Sequence, residues 1–506
     1  MKAPLSFAAA GTPQQNRQRQ AEALFQQALQ LHQGGQHQAA LPLYEQVIQL
    51  HPRHSDALHL AGVLRLQAGD PEQAIDLITR CIKIDRQNAS AHANRGAACQ
   101  ALGQLELAML NFNKAIEFNP RLDSGWNNRA NLLMRLERNT EALSDLDEAL
   151  RLNPASFEAH TNRGNALSRL GRHAEATRSY ERAVELAPHA TASRWSLGMN
   201  LLRLGNFDRG WQHAEARLDH WRNMGWRARD GERLQPQTDL AGKTVLLYRE
   251  QGLGDTLQFS RFAKQVHERG ARVLLEVQPE LVELLSRACP FAQVVSSDRE
   301  LPPFSHSCPL LSLPLVLRTQ PDQIPPPTPG VTASADQMEL WQTRLGERRA
   351  LRVGVVWSGN PDHVDDAQRS IPLSTFKSLF CEGIDWISLH KDVRASDQPA
   401  LDQSQAIRSF GEHLHSFSDT AALIAQLDLV ICVDSSVAHL AGTLGKETWL
   451  LLPFNPDWRW LTERSDTPWY PGMTLYRQTE RGNWTEVLDR VRRELLTRAQ
   501  TPSSGA

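Results

Sequence analysis

The sequence predicts a helical solenoid followed by an α/β region of two parallel-sheet lobes. Three observations carry this. The first half of the chain recurs with a fixed period of 34 residues. In the second half, short Val-, Ile- and Leu-rich runs alternate with helical patterns, as βαβ units do. The segment Leu427 to Lys446, LDLVICVDSSVAHLAGTLGK, reads as a buried strand, a two-serine turn and a helix that stops at Gly445.

Size and composition bound the function. At 506 residues the chain holds about two to four domains, each with its own core. A formal charge of −2 leaves no electrostatic footprint for nucleic acid. The six cysteines, Cys81, Cys99, Cys289, Cys308, Cys381 and Cys432, show no metal-type or redox-type pairing, as expected of reduced core residues in a cytoplasmic protein. No apolar run approaches the length of a membrane span. Residues 1–20 read as a disordered tail, since the apolar stretch after Lys2 is short and leads into a Gln-rich segment.

From Ala21 the repeat is explicit. Small residues recur at Ala28, Gly62, Gly96, Ala130, Gly164 and Gly198. A second series runs Gly35, Gly69, Gly103, Glu137, Gly171, Gly205, and a third Ala40, Ala74, Ala108, Ala142, Ala176, Gly210. Pro52, Pro120, Pro154 and Pro188 punctuate the units. This is the tetratricopeptide period, in which two helices pack closely at small residues. Six units fit residues 21–224, and the sixth departs from the pattern after Gly205, as a terminal cap or adaptor. Asn94, Asn128 and Asn162 occupy one place on the first helix of three successive repeats. An amide both donates and accepts, so a row of them is able to grip an extended peptide backbone. The same row would also serve as solvated positions or as bridges between repeats.

Residues 225–240 read as a linker. Strands are expected at Thr244–Tyr248, Val273–Val277 and Val294–Val295, with helices starting near Thr256 and over Pro279–Ala288. Together these make a first lobe over residues 241–335. The proline-broken segment LPPFSHSCPLLSLPLVL has no clear element. The second lobe, 336–498, is expected to carry a helix over Asp336–Leu345 and strands at Val353–Trp357, Trp386–Leu389, Leu427–Val433 and Thr448–Leu452. A final helix, Trp484–Thr497, is expected to cross back to the first lobe, and 499–506 form a tail.

In open α/β sheets ligands bind at the carboxyl ends of the strands. There a helix N-terminus offers free N–H groups and a positive dipole end to phosphate. Ser435 and Ser436, with Val437 behind them, either cap the helix or meet a diphosphate, and His439 lies one turn in. Asp434 is expected to bond N–H groups of its own turn or a sugar hydroxyl. Ser358, Gly359 and Asn360 follow the strand VGVVW and would present backbone N–H groups. Arg369 reads as a phosphate clamp or a surface arginine, and Lys391 as a diphosphate neutraliser or a loop lysine. Phe417 would pack on a nucleotide base, ahead of Ser418, Asp419 and Thr420 as a helix cap. Gly252 and Gly254 permit a tight strand-to-helix turn, and Asp255 is either a helix cap or a general base. Asp457, Trp458 and Trp460 line a pocket or simply pack. Asp362, Asp365 and Asp366 read as a solvated cluster, and no metal site is expected.

Several of these stretches resemble known families. EQGLGDTLQF resembles the Gly-x-x-Gly-Asp loop of heptosyltransferases in glycosyltransferase family 9, and VDSSVAHLAG resembles their donor-binding motif. With FDRGWQHAEARL, VGVVWSGN, RSIPL and DWRW, the chain looks like bacterial repeat-bearing glycosyltransferases. The repeats are similar to those of O-linked N-acetylglucosamine transferases, whose asparagine ladder holds acceptor polypeptides. The resemblance implies a GT-B fold, two Rossmann-like lobes with a cleft, with an acceptor-side first lobe and a donor-side second lobe. It implies an inverting, metal-independent glycosyltransferase that uses a nucleotide-diphosphate sugar as co-substrate and no cofactor. Asp255 would be the base, and the repeats would recruit an acceptor protein or peptide. The competing expectations are a catalytically inactive repeat scaffold and a nucleotide-sugar epimerase-like enzyme.

Overall fold

The computed structural model describes residues 13–223, 229–363 and 365–500. It divides into two compact units, Met1–Pro188 and His189–Ala506. The first unit is built of helix pairs: α1 Pro13–Gln33 with α2 His37–Leu50, α3 Ser55–Gln67 with α4 Pro71–Ile84, α5 Ala89–Ala101 with α6 Leu105–Phe118, α7 Asp123–Arg135 with α8 Asn139–Leu152, and α9 Phe157–Arg169 with α10 His173–Leu186. Helix α1 begins at Pro13, so the expected tail over 1–20 is helical from residue 13, and residues 1–12 lie outside the described residues.

The period has a steric cause. A Cβ at Gly164 would lie 2.4 Å from the Tyr180 ring and one at Gly62 2.5 Å from Ile78, so glycine stands in the first series where the second helix of a pair closes on the first. The second series turns the chain between the helices of a pair. Gly69 sits there at φ 81°, and Glu137, the one exception to glycine, at φ 60°. In two pairs an arginine ties the first helix to its partner: Arg129 makes a two-pronged bond to the buried Asp145 at 2.7 and 2.8 Å, and Arg163 bonds Ser179 at 2.9 Å.

The second unit opens with the sixth pair, α11 Thr191–Arg203 and α12 Phe207–Ala214, followed by α13 Ala216–Asn223. The departure from pattern after Gly205 thus marks a helical pair that belongs with the α/β region. The expected linker is partly ordered. Its residues 225–228 lie outside the described residues, but β1 Glu232–Arg233 pairs with the strand at His306–Pro309. The first lobe contains β2 Thr244–Tyr248, α14 Leu253–Phe259, α15 Ala263–Glu268, β3 Arg272–Val277, α16 Pro279–Ala288, β4 Ala292–Ser296, β5 His306–Pro309 and α17 Leu313–Val316. Its sheet is parallel, in the order β1-β5-β2-β3-β4.

The second lobe runs α18 Ala335–Leu345, β6 Leu351–Val356, α19 Asp366–Arg369, α20 Leu373–Phe376, β7 Ile384–Ser388, α21 Gln398–Asp402, β8 Ile407–Ser409, α22 Phe417–Ala425, β9 Leu429–Val433, α23 Ser436–Thr443, β10 Thr448–Leu452, β11 Met473–Arg477 and α24 Trp484–Gln500. Its parallel sheet has the order β11-β10-β9-β6-β7-β8. Alternate residues face opposite sides. Val353, Val355, Leu429 and Ile431 pack with Val487, Leu488 and Val491 of α24. The final helix therefore covers its own lobe and does not cross back to the first. The other face, with Val430, Cys432 and Leu450, joins a core that runs through α22, α23 and the first lobe to Phe207 and Trp211. The two lobes are closed on one another over a continuous apolar core.

Glu137 marks where sequence and backbone disagree. A side chain in the left-handed region costs about 1–2 kcal/mol. Glu137→Gly is expected to raise the unfolding free energy of the repeat region by about 0.5–1 kcal/mol, read as a higher urea midpoint of helical circular dichroism; an unchanged or lower midpoint contradicts the strain.

Candidate functional site

The carboxyl ends of β6 and β9 form one floor. After β9 the chain turns through Asp434 and Ser435 into α23. Ser435 stands at the N-cap position with extended backbone, φ −152° and ψ 171°, yet its hydroxyl makes no capping bond and is buried without a partner. After β6, Gly359 is held tightly: its N–H donates to Ser370 Oγ at 3.0 Å, and its carbonyl accepts from Arg394 at 2.7 Å. Arg394 also donates to Asp366 at 2.8 Å and to Ser370 at 3.1 Å. Asp366 is thus a buried anchor, not part of a solvated cluster.

Arg369 lies over this turn. A Cβ at Gly359 would sit 2.8 Å from its Nη2, so only glycine leaves room for the guanidinium. The side chain is 15% exposed, and its nearest counter-charge is Asp366 at 3.8 Å. No hydrogen bond to its guanidinium exists among the described residues, and Nε is buried and unpaired. A buried guanidinium nitrogen without a hydrogen bond is costly unless something else meets it.

Helix α14 of the first lobe packs on α23 of the second. The contact is Gly254 against His439: a Cβ on Gly254 would lie 2.6 Å from His439 Cδ2. Neither Gly252 nor Gly254 has positive φ. Gly254 is required by the close approach, and Gly252 serves as N-cap of a helix that starts three residues before the expected Thr256. Asp255 therefore sits at N3, where Oδ2 accepts from Gly252 N–H at 3.0 Å. Its Oδ1 is met by Arg459 from the second lobe. Arg459 also donates to Gln258 Oε1 at 2.7 Å and Asp457 Oδ1 at 2.8 Å.

Burial sets the protonation states here. It pushes the Asp255 carboxyl above the usual range, with Arg459 opposing. It raises Asp434 to about 6, with Asp457 adding to the effect and the Trp460 N–H, at 2.8 Å, opposing. It lowers His439 to about 3, helped by Arg459, so the ring is neutral at pH 7. His439 Nδ1 shares a hydrogen bond with Tyr470 Oη at 2.9 Å, and the ring stacks on Trp460 at 5.5 Å.

Asp434, Ser435, Ser436, Val437, His439, Ser358, Gly359, Arg369 and Asp255 thus gather at one place. Asp434 takes the Trp460 N–H and not its own turn. Asn360 is exposed and caps its own loop by accepting from Asp362 N–H at 3.0 Å. Lys391 is exposed, and the cation from its loop that reaches the floor is Arg394. Phe417 packs on the shared core as the first residue of α22, and the cap is Ser416, which pairs reciprocally with Asp419. Trp458 is core, 5.2 Å from Trp211. Arg394, Arg459 and Tyr470 were absent from the expected set; the signal for Arg459 was a lone cation inside the aromatic run DWRW. Among the described residues no three His, Cys, Asp or Glu side chains lie close enough to hold a metal ion.

On the repeats, two of the three ladder amides act as bridges. Asn94 Nδ2 bonds His59 Nε2 at 2.8 Å and Asn162 Nδ2 bonds Asn127 Oδ1 at 2.9 Å, each linking neighbouring first helices. Asn128 has no side-chain hydrogen bond among the described residues and keeps both its donor and its acceptor.

The lowered His439 sets a pH signature. In the unfolded chain His439 takes up a proton near its ordinary value of 6.5, while the folded ring resists to about 3. Stability is therefore full above about pH 6.5 and falls as pH drops toward 3, at up to about 1.4 kcal/mol per pH unit. Thermal unfolding of His439→Asn is expected to lose less stability between pH 6.5 and 4.5 than the parent chain; parallel profiles contradict a buried neutral ring.

Tetratricopeptide repeat family models match residues 31–98, 89–122, 127–191 and 163–219. Protein FlbA of Caulobacter vibrioides is 23% identical over 277 residues, covering 50% of this chain and 46% of FlbA. The chain thus spans about half the length of the curated relative it matches. A thermophilic tetratricopeptide-repeat protein of Thermus thermophilus is 23% identical with a TM-score of 0.33, covering 36% of this chain and 99% of that one. The Pseudomonas aeruginosa pilF protein is 17% identical with a TM-score of 0.36, covering 42% and 95%. No helix among the described residues is long and apolar enough to cross a membrane. The N-terminal region of this chain is a tetratricopeptide repeat array.

Proposed function

We propose that this chain is a glycosyltransferase with a GT-B architecture. It moves a sugar from a nucleotide-diphosphate sugar to an acceptor hydroxyl on a polypeptide held by the repeats, with inversion and without a metal. The observation that carries the reading is a pair of atoms without hydrogen bonds beside the carboxyl ends of β6 and β9: the Arg369 Nε and the Ser435 hydroxyl. A diphosphate at the N-terminus of α23 would satisfy both and the free N–H groups of that helix.

The chemistry follows from what faces that floor. As the acceptor oxygen bonds to the anomeric carbon, the bond from that carbon to the phosphate oxygen breaks. The hydroxyl proton passes to Asp255, and the electron pair leaves on the nucleoside diphosphate, where Arg369 and the helix dipole offset the charge. Burial makes Asp255 a stronger base than an exposed aspartate. Asp434, held by Trp460, is placed for a sugar hydroxyl, and neutral His439 brings no second positive charge.

A second reading, an inactive interaction scaffold, draws on one observation: both oxygens of Asp255 are engaged, by Gly252 and by Arg459. The two readings separate in one experiment. A thermal-shift screen over nucleotide sugars is expected to find a donor that raises the melting temperature, since a ligand of the folded state stabilises it by mass action. With that donor, Asp255→Ala is expected to keep the shift and lose about 100-fold or more of turnover. No shift with any donor supports the scaffold, and unchanged turnover removes Asp255 from the base role.

A further inference from the structure

The two arginines at the site are held in opposite ways. Arg369 has no hydrogen bond among the described residues, and only a long ion pair, to Asp366 at 3.8 Å, engages its guanidinium. Arg459 is fixed at every side. Its Nε donates to Gln258 at 2.7 Å, its Nη1 to Asp457 at 2.8 Å, and its Nη2 to Asp255. Its guanidinium lies 4.6 Å over the Trp458 ring, and its side chain is 9% exposed.

The loop that carries it is braced as well. Arg203 of α11 donates to the Pro456 carbonyl at 3.2 Å. Trp211 of α12 meets Trp458 edge-on at 5.2 Å and Phe259, in the same helix as Asp255, at 6.2 Å. An arginine held by three bonds on a braced loop orients the carboxylate it meets and does not swing to a phosphate. Asp255 keeps 18% of its side chain exposed, and two of its four lone-pair sites are used.

We propose that Arg459 is the positioning residue of Asp255: it reaches across from the second lobe, fixes the Oδ1 side of the carboxylate and leaves the remaining lone pairs to an incoming hydroxyl. This rests on the glycosyl-transfer reading and deepens it. The charged groups that face Asp255 are Arg459 and Asp457 from the second lobe and Glu250 from its own approach loop. Arg459 is the cation among them, so its removal has a signed effect on the carboxyl.

The test follows that carboxyl by carbon-13 NMR of the full chain labelled at aspartate, with the Asp255 signal identified by its loss in Asp255→Asn. In Arg459→Gln the titration midpoint of Asp255 is expected to rise by about 1 pH unit or more, and Arg459→Lys is expected to restore most of it. An unmoved midpoint in a folded Arg459→Gln chain, or equal shifts in both variants, overturns the proposal. If Arg459→Gln does not fold, Gln258→Leu, which frees the arginine Nε, is read the same way: a raised midpoint supports positioning and an unmoved one overturns it. A moved midpoint in a chain that turns over no nucleotide sugar keeps the positioning and sinks glycosyl transfer. An unmoved midpoint in an active chain does the reverse.

Discussion

The contact of Gly254 with the His439 ring is the constraint on which the rest of the site depends. With no side chain at residue 254, helix α14 and helix α23 come close enough for a carboxylate on one lobe to meet a guanidinium from the other. The apolar core that runs through both lobes holds the approach in place. Its density leaves little freedom to slide, because packed cores shift in discrete steps. The polar groups that remain inside therefore keep fixed relations: Asp255 to Arg459, Asp434 to Trp460, His439 to Tyr470.

Within that frame three arginines divide the work. Arg394 is structural, tying Gly359, Asp366 and Ser370 into one turn. Arg459 is bound on all sides and belongs to the acid it faces. Arg369 makes no hydrogen bond among the described residues, and the Ser435 hydroxyl after the neighbouring strand is likewise unpartnered. Buried polar atoms without partners are uncommon in native proteins. Two of them, at the amino end of a helix and the carboxyl ends of two parallel strands, are what the proposed donor diphosphate would meet.

Much of this was legible in the sequence where a short-range rule applies. The 34-residue period follows from helix pairing, and its glycine series follows from a left-handed turn that even Glu137 is made to adopt. The strands at 244–248 and 448–452 stand out because buried parallel strands are continuous apolar runs. Strands β5 and β11 did not, because they carry polar residues and lie beside prolines that mask the run. The site showed the same division. The turn at Ser435 and the acid at Asp255 carry local signals. The lowered His439 depends on burial and on Arg459, well separated from it along the chain, and Asn94 is bridged by a histidine from the preceding repeat. Helix α14 starts early because the Asp255 carboxylate reaches back to accept from the Gly252 N–H, a bond that a propensity pattern does not register.

Glycosyl transfer as proposed needs one anion seat in the second lobe, facing the Asp255 carboxylate. It is tested most directly by a crystal structure of the full chain grown with a nucleoside diphosphate. Phosphate oxygens are expected within hydrogen-bond distance of both the Arg369 guanidinium and the Ser435 hydroxyl, with Asp255 still held by Arg459. A nucleotide bound elsewhere, with Arg369 and Ser435 still unmet, would contradict it.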